Sequence, residues 1–517
     1  MWHRVDAAPL NFLRAGGALS CGALTRHDTI RRGENKMAAS PIKFGTSGWR
    51  GIIAEDFTFP NVRVAAAAIA EHVLAGNPHP TLLVAHDTRF FSEEFARAAA
   101  TELAERGVHP LLCKAATPTP AVACEIRWRK IDGAINFTAS HNPAEYQGLK
   151  FSAADGGPAL PEVTKDIEVR AAKLFARPAQ KSSGFPSPHD GRTFEEIDIA
   201  PPYLTRLGEL VRFAELKKQN APRIVYDALH GCGAGYLDRA LAEHGITGHE
   251  TIRAERDVLF EGSGPDVSED NLKRLSETVV THKAQIGLAT DGDADRFGIV
   301  DAQGRWMQPN HILGLLYDYL IESRGWNLDA ARSVATSHLL DAVAAKHGRK
   351  IRQTPVGFKY IGQLILQDVI VLGGEESAGL SIRGHVPEKD GILACLLVAE
   401  MIAARQAPLD EQLRGLFRKV GHPYWPIRTN LHLPEDVKAR AVERLKSDFS
   451  EFIGKSVAQT DRTDGLKLIF DDGSWILLRL SGTEPLMRVY TESATEQESS
   501  RMAQAAREWV FAAAAGG

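Results

Sequence analysis

This sequence predicts an α/β protein: three similar α/β units in series, followed by a smaller C-terminal α+β unit. Three observations carry that reading. From Lys43 onward, short apolar runs alternate with helical stretches, the order that builds a parallel sheet with crossover helices. At 517 residues the chain is too long for one core, so several domains are expected. Beyond Gly421-His422-Pro423 the pattern changes to apolar runs with no long helix between them.

The elements follow in order. The first unit is expected over 39–192. Thr81 to Ala85 reads as a strand ending in His86-Asp87. A helix from Ser92 to Arg106 follows, with Ser92 as N-cap, Glu94 in the first turn and Gly107 closing it. Leu111 to Cys113 and Ile131 to Phe137 supply further strands, and the Pro- and Ser-rich stretch Ala176 to Arg192 reads as a linker. The second unit, 193–306, has strands at Arg223 to Leu229 and Ala284 to Ala289. Phe297 to Val300 and Arg305 to Met307 form a hairpin around Ala302-Gln303-Gly304. The third, 307–420, has a helix from Asn310 to Glu322 and strands at Ser333 to Ser337, Lys350 to Thr354 and Val369 to Leu372. A long apolar helix runs from Gly391 to Arg405. The fourth, 421–517, has strands at Leu466 to Phe470, Trp475 to Leu480 and Arg488 to Thr491, and a last helix from Glu496 to Ala512.

Composition narrows the function. A hydrophobic share of 44% and a charged share of 24% are those of an ordinary globular chain. A net charge of −4 gives no reason to expect nucleic acid or an anionic membrane as partner. No apolar run approaches the roughly 20 residues of a spanning helix. The five cysteines (Cys21, Cys113, Cys124, Cys232 and Cys395) are scattered and odd in number, as expected of free thiols in a reducing, cytoplasmic setting. Residues 1–38 carry several arginines, but Asp6, Asp28 and Glu34 argue against a transit peptide, and no apolar core marks a secretory signal. They are expected to be a disordered extension, or the product of an upstream start ahead of Met37; N-terminal sequencing of natural protein separates the two.

The chemistry concentrates in a few loops. The apolar run Asp132 to Phe137 leads into Asn136-Phe137-Thr138-Ala139-Ser140-His141-Asn142-Pro143. Pro143 holds its predecessor extended, so Ser140 lies on a turn at a strand end, where α/β proteins display reactive groups. Ser140 is the candidate phosphoryl carrier, and His141 is read as an organiser of its loop. Thr290-Asp291-Gly292-Asp293-Ala294-Asp295-Arg296 follows a strand and offers three carboxylates to a divalent cation. Extended, Asp291 and Asp295 would stand roughly 13 Å apart. To share one Mg²⁺, which takes oxygens at about 2.0–2.1 Å, the loop must curl, and Gly292 permits that. An EF-hand is excluded, because its glycine and glutamate positions fall on Arg296 and Ala302. Three carboxylates over-neutralise one such ion unless it also holds a phosphate oxygen stabilised by nearby cations.

Gly373-Gly374-Glu375-Glu376-Ser377-Ala378-Gly379 can present Glu375 and Ser377 to vicinal hydroxyls of a sugar; a turn that caps a helix is the competing reading. Lys389 adds positive charge ahead of the helix at Gly391. Arg479-Leu480-Ser481-Gly482-Thr483-Glu484-Pro485 offers a guanidinium, two hydroxyls and backbone N–H groups in one turn, a phosphate cradle. Arg50, in Gly45-Thr46-Ser47-Gly48-Trp49-Arg50-Gly51, is a candidate anion contact. Gly231-Cys232-Gly233-Ala234-Gly235 is no dinucleotide fingerprint, since Tyr236 holds the third glycine position. Neither a Walker A string nor a Gly-x-Ser-x-Gly elbow occurs.

Taken together, and in this order along the chain, the TASHNP, DGDADR, GGEESAG and RLSGTEP strings resemble those of the α-D-phosphohexomutases, from about Ile42 to the C-terminus. The resemblance implies four domains around a central cleft. It implies Ser140 as a phosphoserine and one Mg²⁺ per chain, bound by Asp291, Asp293, Asp295 and the Ser140 phosphate. The expected catalytic set is Ser140, Arg50, His141 and Lys150. The expected substrate contacts are Arg296, Glu375, Ser377, Lys389, Arg479, Ser481, Gly482 and Thr483. Two positions depart from the family pattern: Leu480 replaces a common proline, and Val356 a common threonine. The implied reaction interconverts hexose 1-phosphate and hexose 6-phosphate through a hexose 1,6-bisphosphate, which also serves as activator. Glucose ranks first on the Glu-Glu-Ser triplet. Phosphomannomutase and phosphoglucosamine mutase are the alternatives. A phosphatase with an aspartate nucleophile and a non-catalytic sugar-phosphate binder are the competing classes. The expected partners are small sugar phosphates, and the expected state is a monomer or weak dimer.

Overall fold

The computed structural model describes residues 42–45, 48–176, 194–480 and 486–512. The expected N-terminal extension lies outside the described residues, as does the expected linker beyond Ala176.

Four sheets organise the described chain. The first has seven strands, in spatial order Phe44–Gly45, Gly48–Ile52, Tyr146–Ala153, Gly133–Phe137, Thr81–His86, His109–Cys113 and Glu195–Ile197. The second runs Trp306–Met307, Phe297–Asp301, Ile286–Thr290, Ile224–Asp227, His249–Ile252. The third runs Ile351–Thr354, Asp329–Ser333, Ile370–Glu375, Gly379–Ile382. The fourth is a six-stranded antiparallel sheet that begins with Trp425–His432 beside Leu486–Ser493 and ends on Glu451–Phe452. It carries the Pro434-capped helix Glu435–Arg444 and helix Glu496–Ala512. Three α/β units and a smaller α+β unit are what the sequence predicts.

The first three sheets are mixed, not purely parallel. Each has parallel strands at its centre and one antiparallel partner beside the last of them. This shared topology positions the chemistry. The loop between the last parallel strand and its antiparallel partner is 138–145 in the first unit, 291–296 in the second and 376–378 in the third. The serine, aspartate and glutamate–serine strings thus occupy equivalent places in three sheets whose sequences do not repeat.

Local differences from the sequence reading have physical causes. The helix Ser92–Glu105 is preceded by Phe91 in the left-handed region, and Ser92 is inside it; the Ser92 hydroxyl donates to Asp87 Oδ1 at 2.5 Å instead of capping. The strand expected at Ser333 to Ser337 ends at Ser333. There Thr336 N bonds back to Ser333 O at 3.1 Å and the two hydroxyls pair at 2.9 Å, a local alternative to the ladder. The strand expected to stop at Leu372 continues through Gly373 and Gly374 to Glu375 and turns into a hairpin, so the helix-capping reading fails. Those glycines let neighbouring helices approach: a Cβ at Gly373 would strike Ile361, and one at Gly374 would strike Leu313.

Helix Gly391–Arg405 is almost wholly buried, capped by Asp390 Oδ1 accepting Leu393 N–H at 2.8 Å. Among the described residues no single helix is long and apolar enough to cross a membrane. Cys113, Cys124, Cys232 and Cys395 are free and buried. The fourth sheet rests on the third unit through Val334, Ala335, Trp475, Leu477 and Tyr490. Within that seam the buried Lys467 amine donates to Val334 O at 2.8 Å and lies 3.8 Å from the Trp475 ring centroid.

Candidate active site

Ser140 sits between two adjacent strands, Gly133–Phe137 and Tyr146–Ala153, with a left-handed backbone at φ +54°. A non-glycine residue in that region is uncommon and needs support from its surroundings. Arg89 supplies it. Its fully buried guanidinium donates to four carbonyls of the turn: Ser140 (2.6 Å), Asn142 (2.5 Å), Pro143 (2.7 Å) and Tyr146 (3.1 Å). Asp87 pairs with the same guanidinium at 3.2 Å, and the Phe260 ring lies 5.0 Å away.

Opposite stands the aspartate loop. It curls as required, but the left-handed residue is Ala294 at φ +56°, not Gly292. Gly292 serves close approach: a Cβ there would lie 2.5 Å from Ser140 O and 2.8 Å from Pro265. The decoy glycines act likewise, for a Cβ on Gly231 would lie 2.8 Å from Gly292 O.

The two loops meet. Ser140 Oγ donates to Asp291 Oδ2 at 2.7 Å, and Arg296 N–H donates to Asp291 Oδ1 at 3.0 Å. Asp293 Oδ2 accepts from Thr119 Oγ1 and from Lys150 Nζ (2.5 Å). Asp295 Oδ2 faces Lys150 at 2.9 Å and Lys389 at 3.0 Å. One oxygen from each of the three aspartates falls within 4.8 Å of the others, and all three residues are buried. Asp293 Oδ1 and Asp295 Oδ1 are buried with no hydrogen-bond partner among the described residues. Such atoms are costly unless something electropositive sits beside them. Three hard carboxylate donors with unspent oxygens fit a divalent cation of the Mg²⁺ or Mn²⁺ type.

The electrostatics agree. Burial, then Asp295 and Asp293, push Asp291 well above the usual carboxylate range. Burial works against Asp295, but Lys150, Lys389 and Arg296 hold it well below that range. Lys150 and Lys389 resist desolvation and are raised by the aspartates they face. Burial and then Arg296 bring Arg50 down to about 10, still protonated at neutral pH; its guanidinium holds Asn142 Oδ1 at 2.6 Å. His141 Nδ1 lies 3.3 Å from Ser140 Oγ, and desolvation with Arg296 and Arg50 keeps that imidazole neutral.

Glu375 closes the third sheet's hairpin. Its Oε1 accepts Gly357 N–H at 2.7 Å, and burial with the neighbouring Glu376 raises it to about 7. Ser377 is half-buried on the same turn, whereas Glu376 turns to Ser333 Oγ at 3.1 Å. Arg479 Nε donates to Asp464 Oδ2 at 2.9 Å, and that carboxylate also takes Val356 N–H at 3.1 Å, tying the fourth unit to the third. Ser481, Gly482 and Thr483 lie outside the described residues.

Sequence reasoning missed Arg89, Thr119 and Asn142. The available signal was positional: Asp87-Thr88-Arg89 and Thr119 lie just beyond the C-terminal ends of the parallel strands Thr81–His86 and His109–Cys113.

The comparisons agree with this architecture. Models of the phosphoglucomutase/phosphomannomutase alpha/beta/alpha domains I, II and III match residues 41–177, 201–304 and 308–420, and the C-terminal domain model matches 429–508. A phosphoglucomutase/phosphomannomutase from Thermococcus kodakarensis is 31% identical over 88% of this chain and 95% of its own. A Methanothermobacter thermautotrophicus relative assigned as a phosphoglucosamine mutase is 31% identical over 89% of this chain and 95% of its own. A solved Thermus thermophilus structure assigned as a phosphomannomutase superposes with a TM-score of 0.79 at 32% identity, covering 92% of this chain and all of that one. These matches define an isomerase that works by phosphoryl transfer. The chain belongs to the phosphoglucomutase/phosphomannomutase family, the α-D-phosphohexomutases.

Proposed function

We propose that the protein interconverts hexose 1-phosphate and hexose 6-phosphate, glucose favoured, with Ser140 carrying the phosphoryl group. The contact between Ser140 Oγ and Asp291 Oδ2, spanning 151 residues of sequence beside two carboxylate oxygens that accept no hydrogen bond from the described residues, is the observation that carries this reading. Asp291, Asp293 and Asp295 would hold Mg²⁺, which when bound supplies a positive charge to offset phosphoryl oxygens.

In the first transfer, phospho-Ser140 gives its phosphoryl group to the free sugar hydroxyl: the new P–O bond forms to the sugar as the serine P–O bond breaks. The product is a hexose 1,6-bisphosphate and a serine oxygen that regains a proton. In the second, Ser140 Oγ takes the other phosphoryl group, releasing the isomeric monophosphate. The proton of Ser140 has two acceptors within reach, Asp291 Oδ2 and the neutral His141 Nδ1. Asp293 and Asp295 hold Lys150 in its charged form, so it acts as a fixed cation, not as a resting base. Arg50 and Arg296 offset the travelling dianion, and the Arg479 turn anchors the idle phosphate. Chemistry of this type depends mainly on positioning and charge.

Glu375 and Ser377 share one turn and can read adjacent hydroxyls, and glucose is ranked first because the Glu-Glu-Ser triplet resembles the phosphoglucomutase form of this loop. The relatives' names divide among glucose, mannose and glucosamine, so the ranking rests on the chain's own Glu-Glu-Ser triplet. Intact-mass analysis is the decisive test. Natural protein gains the mass of one phosphoryl group with glucose 1,6-bisphosphate, and Ser140→Ala gains none and loses mutase activity. A Ser140→Ala protein that still releases free phosphate returns the function to an aspartate-nucleophile phosphatase. Glucosamine phosphate as best substrate by kcat/KM rejects the sugar ranking.

A further inference from the structure

A cavity of about 500 Å³, lined by both polar and apolar side chains, lies outside the cleft, and none of the described residues of the serine, aspartate and Arg479 loops lines it. It is the size of a metabolite site. Three guanidinium groups border it, one from each α/β unit: Arg127 on helix Thr119–Arg129, Arg206 on helix Ala200–Leu210, and Arg383 beyond strand Gly379–Ile382. Asp368 is the one carboxylate at its wall, and it is taken by Arg383 through two bonds of 2.7 Å. Arg206 leans on exposed Glu209 and on Gly384 O. Arg127 gives one N–H to Asp155 O at 3.0 Å and pairs with no carboxylate among the described residues. With Asp368 set against Arg383 and Glu209 against Arg206, one guanidinium charge, that of Arg127, is left without a carboxylate partner among the described residues, and its forked donors have the geometry that matches phosphate oxygens.

A second observation links this wall to the aspartate loop. His385 also borders the cavity; its side chain is fully buried, and its Nδ1 has no hydrogen-bond partner among the described residues. Its Nε2 meets Asp390 Oδ2 at 2.8 Å. Asp390 is the cap of helix Gly391–Arg405 and takes the Tyr203 hydroxyl at 2.9 Å. Next to it, Gly391 N–H donates to Ala294 O of the aspartate loop at 3.0 Å, and Lys389 reaches Asp295 at 3.0 Å. One seven-residue segment, His385 to Gly391, thus carries both a wall of the cavity and a cation of the cleft.

We propose that this cavity is a second site, distinct from the cleft, for a small phosphorylated metabolite, and that its occupant alters turnover through the His385–Gly391 segment. The ligand's phosphate would bridge Arg127 and Arg206 and so tie the first two α/β units together. Inorganic phosphate is the probe, titrated calorimetrically into the full chain at constant ionic strength. Natural protein is expected to show two classes of site. Arg479→Ala should weaken one and spare the other. Arg127→Ala with Arg206→Ala should weaken the spared class at least tenfold, the scale of losing a charged hydrogen bond. Arg127→Gln, at an exposed helix position, gives the same reading if the double variant folds poorly.

Turnover at saturating sugar phosphate should change with added phosphate in natural protein and stay constant in the double variant. A single class of site lost in Arg479→Ala, or unchanged phosphate binding in the double variant, overturns the site. An identical turnover response in both proteins overturns the coupling.

Discussion

Glu375→Gln is expected to make the protein more stable at alkaline pH while making it a poorer enzyme. The Glu375 carboxyl is buried and accepts one backbone N–H, with Glu376 beside it, and its pKa is raised from 4.5 to about 7. Between those values the folded chain holds this proton and the unfolded chain releases it. The unfolded state therefore binds fewer protons, and stability falls as pH rises through that window. Fully developed, at pH 8, the penalty is about 3 kcal/mol; at pH 5 it is below about 1 kcal/mol. Glutamine keeps an oxygen for Gly357 N–H and has nothing to ionise, so the variant should gain about 3 kcal/mol at pH 8 and little at pH 5. Urea unfolding of the two proteins at both pH values measures this. If Glu375 reads a sugar hydroxyl as an anion, kcat/KM should fall about tenfold or more at pH 8. No gain at pH 8, or an equal gain at both pH values, refutes the assignment of a buried, reluctant carboxylate.

Three further outcomes follow from the site. Asp295→Asn should lower mutase rates at least about a thousandfold, near 4 kcal/mol of transition-state stabilisation, and should cancel any rise in Tm on adding Mg²⁺; initial rates and melting curves with and without the ion test both. Arg89→Met strips four turn carbonyls of their donor and leaves Asp87 buried without it, so a loss of about 3–5 kcal/mol is expected in urea unfolding. Arg479→Ala should raise KM about ten- to hundredfold, the loss of a charged contact to the idle phosphate, as read from steady-state kinetics.

Much of the site was legible because its residues sit where strands stop. Val-, Ile- and Ala-rich runs announce buried strands. A proline after Ser140, or alternating aspartates after Thr290, announces that the ladder cannot continue. The helices Gly391–Arg405 and Glu496–Ala512 have the bounds their sequence gives, because Asp390 and the Thr495-Glu496 start are clear local signals. Features set by packing were less visible. Gly373-Gly374 looks like a turn in isolation and is a strand because Ile361 and Leu313 need the room. Arg89 is one arginine among many, and its role appears only when four carbonyls from a loop about 50 residues away converge on it. The same holds for the curl of the aspartate loop. Its glycine was the natural candidate for the left-handed position, yet Ala294 takes it, since Gly292 is needed to admit the Ser140 carbonyl.

The serine–aspartate contact also has a consequence for how the molecule comes into being. As the polypeptide leaves a ribosome, residue 140 emerges long before residue 291, and Arg479 comes last. On the proposed mechanism the serine is therefore presented early but has no ion-holding partner until a later module has been translated, and no phosphate anchor until the tail is complete. On that mechanism activity arrives all at once, with the finished chain.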